Sequence, residues 1–318
     1  MSLSKFLESE LNGLKSIQVP ENLIGLPTHE AIKKQLLSNK YRKYSATPEF
    51  ISKIENAIQY NLDRNKPIEL TLPHGSYKLW RLKSAPEADW AELFAHIYYT
   101  QWLKPICDIY KPGVVLDCYL DDIMLERLND IPQQDIAKYQ QSYHDVLNLL
   151  DTYRPKNFES KITTVSSLFS TKTDLFTAVE KKLSVTIPSE LTEKRLKSIY
   201  LNLPEEKHDN VTVAKISHLE DAYQSVKSDI GYRDNRPDNI PIWFEKHPSR
   251  LAVGSTKNSI MKFWIATGVL IKNNETYTST ILSESQLKKY KTTKHPINLH
   301  GLNGKNFQTI TTVELKTI

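Results

Sequence analysis

Pro67-Ile-Glu-Leu-Thr-Leu72, then Glu87 to Tyr110, then Lys111-Pro-Gly113-Val-Val-Leu-Asp-Cys-Tyr-Leu120 decide how this chain folds. The first and last runs are short, rich in aliphatic and branched residues and bounded by Pro and Gly, the signature of strands. Between them Phe94, Ile97, Tyr98, Trp102 and Leu103 fall on one helical stripe, and Pro105 is expected to kink or divide that helix. Two strands separated by a whole helix are not a hairpin. The connection is a crossover, so the strands should run parallel in one sheet.

Working outward, Pro132 to Tyr153 reads as the next helix and Lys161 to Val165 as a third strand. Thr47-Pro48 is a helix start, because Thr accepts a backbone hydrogen bond as N-cap while Pro fits the first turn; Phe50, Ile51, Ile54 and Ile58 then share a face. Residues 1–46 read as short helices, one capped by Ser4 with Phe6, Leu7 and Leu11, another capped by Thr28 with Ile32, Leu36 and Leu37. From Thr171 to Ser228 the pattern is helical, broken by Pro188 and Pro204. After Gly231 the texture turns to β at Ile240 to Phe244, Leu251 to Val253, Ile260 to Ile271 and Thr311 to Leu315. The fold class is α/β: a Rossmann-like, largely parallel sheet flanked by helices, with a β-rich C-terminal part. The expected divisions are an N-terminal helical layer over 1–46, an α/β core over 47–230 and a β-rich part over 231–318 that closes the site.

Of the 318 residues 39% are hydrophobic and 25% charged, enough apolar material for a core and too little charge excess for global disorder. The net charge of +5 is spread along the chain, which suits anionic metabolites and leaves no nucleic-acid footprint. Cys107 and Cys118 make no disulfide framework and sit in no metal-ligand spacing, which fits a reducing compartment. With no signal-like apolar N-terminus and no run of about 18 apolar residues, a cytoplasmic protein that neither enters membranes nor is secreted is expected.

Ligands of open α/β sheets bind beyond the carboxyl ends of the strands, and two segments lie there. Pro73-His-Gly-Ser-Tyr-Lys-Leu-Trp-Arg81 brings His74, Ser76, Lys78 and Arg81 just past a strand, where Gly75 and Ser76 let backbone N–H groups approach an oxyanion and Lys78 counters its charge. The alternative is a solvated polar loop. Asp121 and Asp122 end the next strand and could orient a substrate, act as a base or bind Mg²⁺; equally, they could cap a helix over Ile123 to Leu128. Glu92 stands in the first turn of the long helix, where the dipole favours acids whatever their role, and on a sheet-facing side it would need a partner such as Lys78. In the C-terminal half His247-Pro248 pairs a titrating group with a fixed backbone, and Arg250 follows. Gly254-Ser-Thr-Lys257 lacks P-loop spacing, and no serine-nucleophile, zincin or dinucleotide-binding motif is present.

The order of these features resembles the isocyanide (isonitrile) synthase family of the pyoverdine and dityrosine biosynthesis type. Pro73-His-Gly-Ser-Tyr-Lys78 is similar to its Pro-x-x-aromatic-Lys segment and Asp89-Trp-Ala-Glu92 to its Pro-Asp-x-x-Glu element. Tyr110-Lys-Pro-Gly113 reproduces its Tyr-x-Pro-Gly turn, Asp121 its strand-end Asp, and His247-Pro248 its His-Pro element, with Phe263-Trp264 parallel to a later Trp-containing strand. The resemblance implies an enzyme of secondary metabolism that condenses an amino-acid amine with a pentose phosphate such as ribulose 5-phosphate. It implies Glu92, Asp121 and His247 as acid/base groups and His74, Ser76, Lys78, Arg81 and Arg250 as binding groups for substrate and phosphate, with no metal and no cofactor. Because Lys78 and Asp121 follow strands of one sheet and Glu92 opens the helix between them, Lys78, Glu92, Asp121 and His247 are expected to converge in one cleft. The other readings are a Mg²⁺-dependent nucleotide or sugar-nucleotide transferase using Asp121 and Asp122, and a catalytically silent homologue that binds a metabolite or protein.

Overall fold

The computed structural model of the chain describes residues 2–41, 47–74, 86–120, 122, 126, 131–168, 172–200, 205–230, 250–252, 266–274 and 276–315, with His74, Tyr119 and Arg250 among the residues described by their backbone alone. In chain order these carry α1 (Leu3–Lys15), α2 (Thr28–Leu36), α3 (Pro48–Asp63), β1 (Ile68–His74), α4 (Trp90–Ile109), β2 (Val114–Leu120), α5 (Gln133–Asp151) and β3 (Phe158–Thr164). There follow α6 (Lys172–Leu183), α7 (Glu193–Tyr200), α8 (Asn210–Ile230), β4 (Arg250–Ala252), β5 (Ala266–Asn273), β6 (Thr276–Ser283), the one-turn α9 (Glu284–Leu287), β7 (Tyr290–Pro296) and β8 (Thr309–Leu315).

β1 and β2 are parallel neighbours, Ile68 opposite Val114 and His74 opposite Leu120, with α4 as their crossover. β3 adds to β2 and β4 to β1, both parallel, giving the order β3-β2-β1-β4. A second, mixed sheet has the order β6-β5-β8-β7. The mixed α/β class expected from the sequence is thus observed, with strand three beginning earlier, at Phe158. The segment Ile240 to Phe244 lies outside the described residues.

Local chemistry explains the element ends. Asp89 caps α4 by accepting from Ala91 N–H at 2.7 Å, while Glu92 reaches back to Asp89 N–H at 2.7 Å, a reciprocal capping box. Pro105 does not divide α4, which continues through it to Ile109; the missing N–H costs a bond, but the helix is buried on almost every side and packing holds it. α1 is capped by Ser2, two residues before the expected Ser4, and α2 begins with Thr28 inside the helix after Pro27, without a side-chain cap.

One hydrophobic core runs from Phe6 and Leu14 of α1 through Ile54, Leu70, Leu103, Leu116 and Val146 to Leu270 and Ile310 of the second sheet. The sheets and the N-terminal helices therefore share a core. Trp90 ties the second sheet to the start of α4: its indole N–H donates to Thr309 C=O at 2.7 Å and its ring meets Phe307 edge-on at 5.1 Å. Gly268 passes so close that a Cβ there would lie 2.3 Å from the Trp90 carbonyl carbon, so only glycine fits. α6, α7 and α8 have smaller clusters of their own, around Leu175, Val179 and Tyr223 and around Ile199 and Val213.

Candidate functional site

Because β1, β2 and β3 pair in parallel register, His74, Leu120 and Thr164 end together on one edge of the sheet. Just past that edge the buried Asp122 accepts a hydrogen bond from Ser166 N–H at 3.0 Å and another from the Ser166 hydroxyl. The Thr164 hydroxyl lies 3.2 Å from that of Ser166. α5 faces this cluster with Gln133, Ile136, Ala137 and Gln140, which share one helical face. Together these seven residues line a cavity of about 260 Å³, just below the range of about 300–1,000 Å³ typical of small-molecule sites. Its walls offer hydroxyl and amide groups, one carboxylate and an apolar floor. A carboxylate has about four lone-pair sites, so it can accept from several donors at once, a ligand hydroxyl or amine among them.

Glu92 is fully buried, and its second carboxylate oxygen accepts from the Tyr139 hydroxyl at 3.2 Å. It therefore closes the start of α4 and meets α5, and it is not among the residues lining the cavity. The backbone of His74 stands at the sheet edge beside Leu120. Arg250 opens β4 opposite Glu69, five residues back along β1, so its backbone lies roughly 16 Å from that edge. Ser76, Lys78, Arg81, Asp121 and His247 lie outside the described residues.

Two polar features went unnoticed in the sequence. Asp117 is buried in the middle of β2, 3.9 Å from Lys161 Nζ on β3 and in register with Thr71 on β1, so the sheet face away from Leu116 and Cys118 carries a polar row. The second lies in the core between α4, α5 and β2. His96 Nδ1 is 3.3 Å from an Arg154 guanidinium nitrogen, which can only donate, so Nδ1 accepts and the proton sits on Nε2. Nε2 then donates to the Tyr143 hydroxyl at 2.6 Å, and Tyr143 also hydrogen-bonds the Cys118 thiol. A His and a Thr four residues apart within an apolar helix were the available signal, since buried polar groups must find partners.

Burial pushes the thiols of Cys107 and Cys118 from 9.0 up to about 12 and raises the hydroxyls of Tyr139 and Tyr143 well above their ordinary value. Folding therefore holds on to protons that the unfolded chain releases. The stability the two thiols contribute is complete below pH 9 and is lost as the pH rises towards about 12, and the two tyrosines add to the loss above pH 10. Each thiol accounts for about 4 kcal/mol by the top of that window. Denaturant midpoints should fall steeply with alkaline pH, and less steeply in Cys118→Ala; equal slopes for the two proteins would remove Cys118 from the account.

No family model matches the chain, and no curated protein matches it in sequence. Among solved structures, the crystal structure of the PvcA protein from Pseudomonas aeruginosa aligns with 91% of this chain and 100% of its own, at a TM-score of 0.52 and 13% identity. The chain shares its fold with PvcA. Neither sheet-bearing part alone amounts to 91% of the chain, so the likeness to PvcA spans both sheets. At 13% identity PvcA informs the architecture, and the chemistry of the cavity has to be argued from the side chains that line it.

Proposed function

We propose that the chain is an isonitrile-synthase-like enzyme of secondary metabolism, which condenses the α-amine of an amino acid with the carbonyl of a pentose phosphate such as ribulose 5-phosphate and converts that nitrogen to an isonitrile. The observation that carries this reading is the small polar cavity at the carboxyl ends of the parallel strands, in a chain whose fold is like that of PvcA. The ordered motifs from Pro73 to Asp121 and at His247-Pro248 support it independently of the fold.

In this reading Lys78 and Arg81, with His74 and Ser76, hold the phosphate beyond β1, while Arg250, whose backbone lies roughly 16 Å from that edge, is too far away to join them. Imine formation joins the amine nitrogen to the carbonyl carbon and expels water, so it needs a base to take the amine proton and an acid to protonate the departing oxygen. Asp121 and His247 serve there. Asp122 joins them, since it lines the cavity and can orient the amine or a sugar hydroxyl. Glu92 stays outside that step: its carboxylate closes the start of α4 and holds the Tyr139 hydroxyl.

The test is to incubate the protein with amino acids and ribulose 5-phosphate, with and without Mg²⁺, and to follow isonitrile formation by mass spectrometry. Turnover without added metal is expected, and Asp122→Asn should lower kcat/KM about 100-fold. Nucleotide-sugar turnover that requires Mg²⁺ and disappears in Asp122→Asn would establish the transferase instead. Binding of pentose phosphate without turnover of any amino acid would make the chain a silent homologue.

A further inference from the structure

A second cavity, of about 330 Å³, lies between α1, α4 and β6, and shares no lining residue with the cavity at the strand ends. α4 supplies Phe94, Ile97, Tyr98 and Gln101, which follow one another along a single helical face. β6, the edge strand of the second sheet, supplies Thr278 to Ile281, and α1 supplies Glu10. Ser279 donates its hydroxyl to the Glu10 carboxylate at 2.8 Å, which fixes that carboxylate over the cavity across the seam between the N-terminal helix and the second sheet.

The composition of the wall selects a ligand. Among the described residues its ionisable groups are the Glu10 carboxylate and the Tyr98 phenol, and no cation among them pairs with Glu10. The aromatic faces of Phe94 and Tyr98 attract positive charge and apolar rings alike, while the Ser279 hydroxyl, on the face of β6 that meets Glu10, can accept a hydrogen bond from a donor-rich group. An ammonium group has three donors and no acceptor, the complement of a carboxylate beside a hydroxyl. An amino acid fits poorly, because its carboxylate would find no cation in the wall.

We propose that this cavity is a binding site for a small primary amine that carries an aromatic or branched apolar group and no carboxylate, the ammonium on Glu10 and the apolar group against Phe94 and Tyr98. The site is independent of the chemistry at the strand ends.

Phenethylamine is the probe, titrated into the full chain by calorimetry beside its neutral counterpart 2-phenylethanol, its acidic counterpart phenylacetate and the amino acid phenylalanine. Phenethylamine should bind at least about tenfold more tightly than each of the other three, the loss expected when one charge-assisted hydrogen bond is removed. Glu10→Gln should abolish that preference and leave phenethylamine no better than 2-phenylethanol, whereas Asp122→Asn should leave it intact. Phenethylamine binding no tighter than 2-phenylethanol in the native protein overturns the proposal. So does a preference that survives Glu10→Gln or vanishes in Asp122→Asn. Should Glu10→Gln not fold, the ranking of the four probes on the native chain decides alone.

Discussion

Replacing Gly113 by alanine is expected to remove about 3 kcal/mol or more of stability, enough to unfold a marginal domain. Gly113 has φ of +73°, a left-handed conformation that costs an ordinary residue about 1 kcal/mol. The larger cost is spatial, since a Cβ at this position would lie 1.9 Å from the Asn157 carbonyl oxygen and 2.8 Å from the carbonyl carbon. Both are backbone atoms and cannot swing aside. Asn157 is also pinned, because its C=O accepts from Val114 N–H at 2.9 Å while its side-chain amide donates to Cys107, Tyr110 and Lys111 carbonyls at 2.9, 3.4 and 3.2 Å. Relieving the clash means moving the start of β2 away from the start of β3. Urea denaturation of Gly113→Ala measures the loss; a change below about 1 kcal/mol would show that the turn rearranges freely.

Arg154→Met should destabilise the chain by about 2–4 kcal/mol. The Arg154 side chain is fully buried, donating to Thr100 Oγ1 at 2.8 Å, Ser160 Oγ at 2.7 Å, and His96 Nδ1 and C=O at 3.3 Å each. It also lies 4.6 Å over the Phe158 ring. Its one carboxylate neighbour, Asp151, is 3.7 Å away and half exposed. Burial lowers the guanidinium to about 10, a sign that the cation is held at a desolvation cost. Methionine removes that cost and refills most of the volume, which argues for a small effect. Against this, each buried acceptor left without its donor costs about 1–3 kcal/mol, and several are affected at once. The second effect wins by number. Arg154→Lys should fare little better, because an ammonium lacks the planar fork that reaches three side chains. A Met variant within about 0.5 kcal/mol of the native protein would mean that the desolvation cost cancels the network.

The contrast between these two sites shows where the sequence was legible. Tyr110-Lys-Pro-Gly113 announces its turn, because Pro and Gly restrict the backbone by themselves and the restriction is local. The parallel pairing of β1 with β2 could be read for the same reason, since a helix-length connection excludes a hairpin. Arg154 gave no local signal. Its partners His96 and Thr100 come from a helix 58 and 54 residues earlier in the chain, and only the packing of α5 and β3 brings them together. The cavity was half legible: Asp122 was singled out at a strand end, but Ser166, Gln133 and Gln140 are ordinary residues until α5 is laid across β3. Glu92 shows the converse, an acid singled out for chemistry whose carboxylate closes a capping box. Helix-start acids have that use in any protein, and spacing alone does not separate the two roles.

The order in which the strands leave the ribosome follows from the sheet order. β1, β2 and β3 are complete once residue 164 is made, yet the outer edge of β1 waits for β4 at residues 250–252. Trp90 likewise waits for Gly268, Phe307 and Thr309. At translation speeds of about 5–20 residues per second, the nascent chain carries an open sheet edge for on the order of 4–17 s and an uncovered indole for on the order of 10–40 s. Unpaired edges recruit other strands, so yield from rapid overexpression should depend on holdase chaperones far more than the stability of the finished protein suggests.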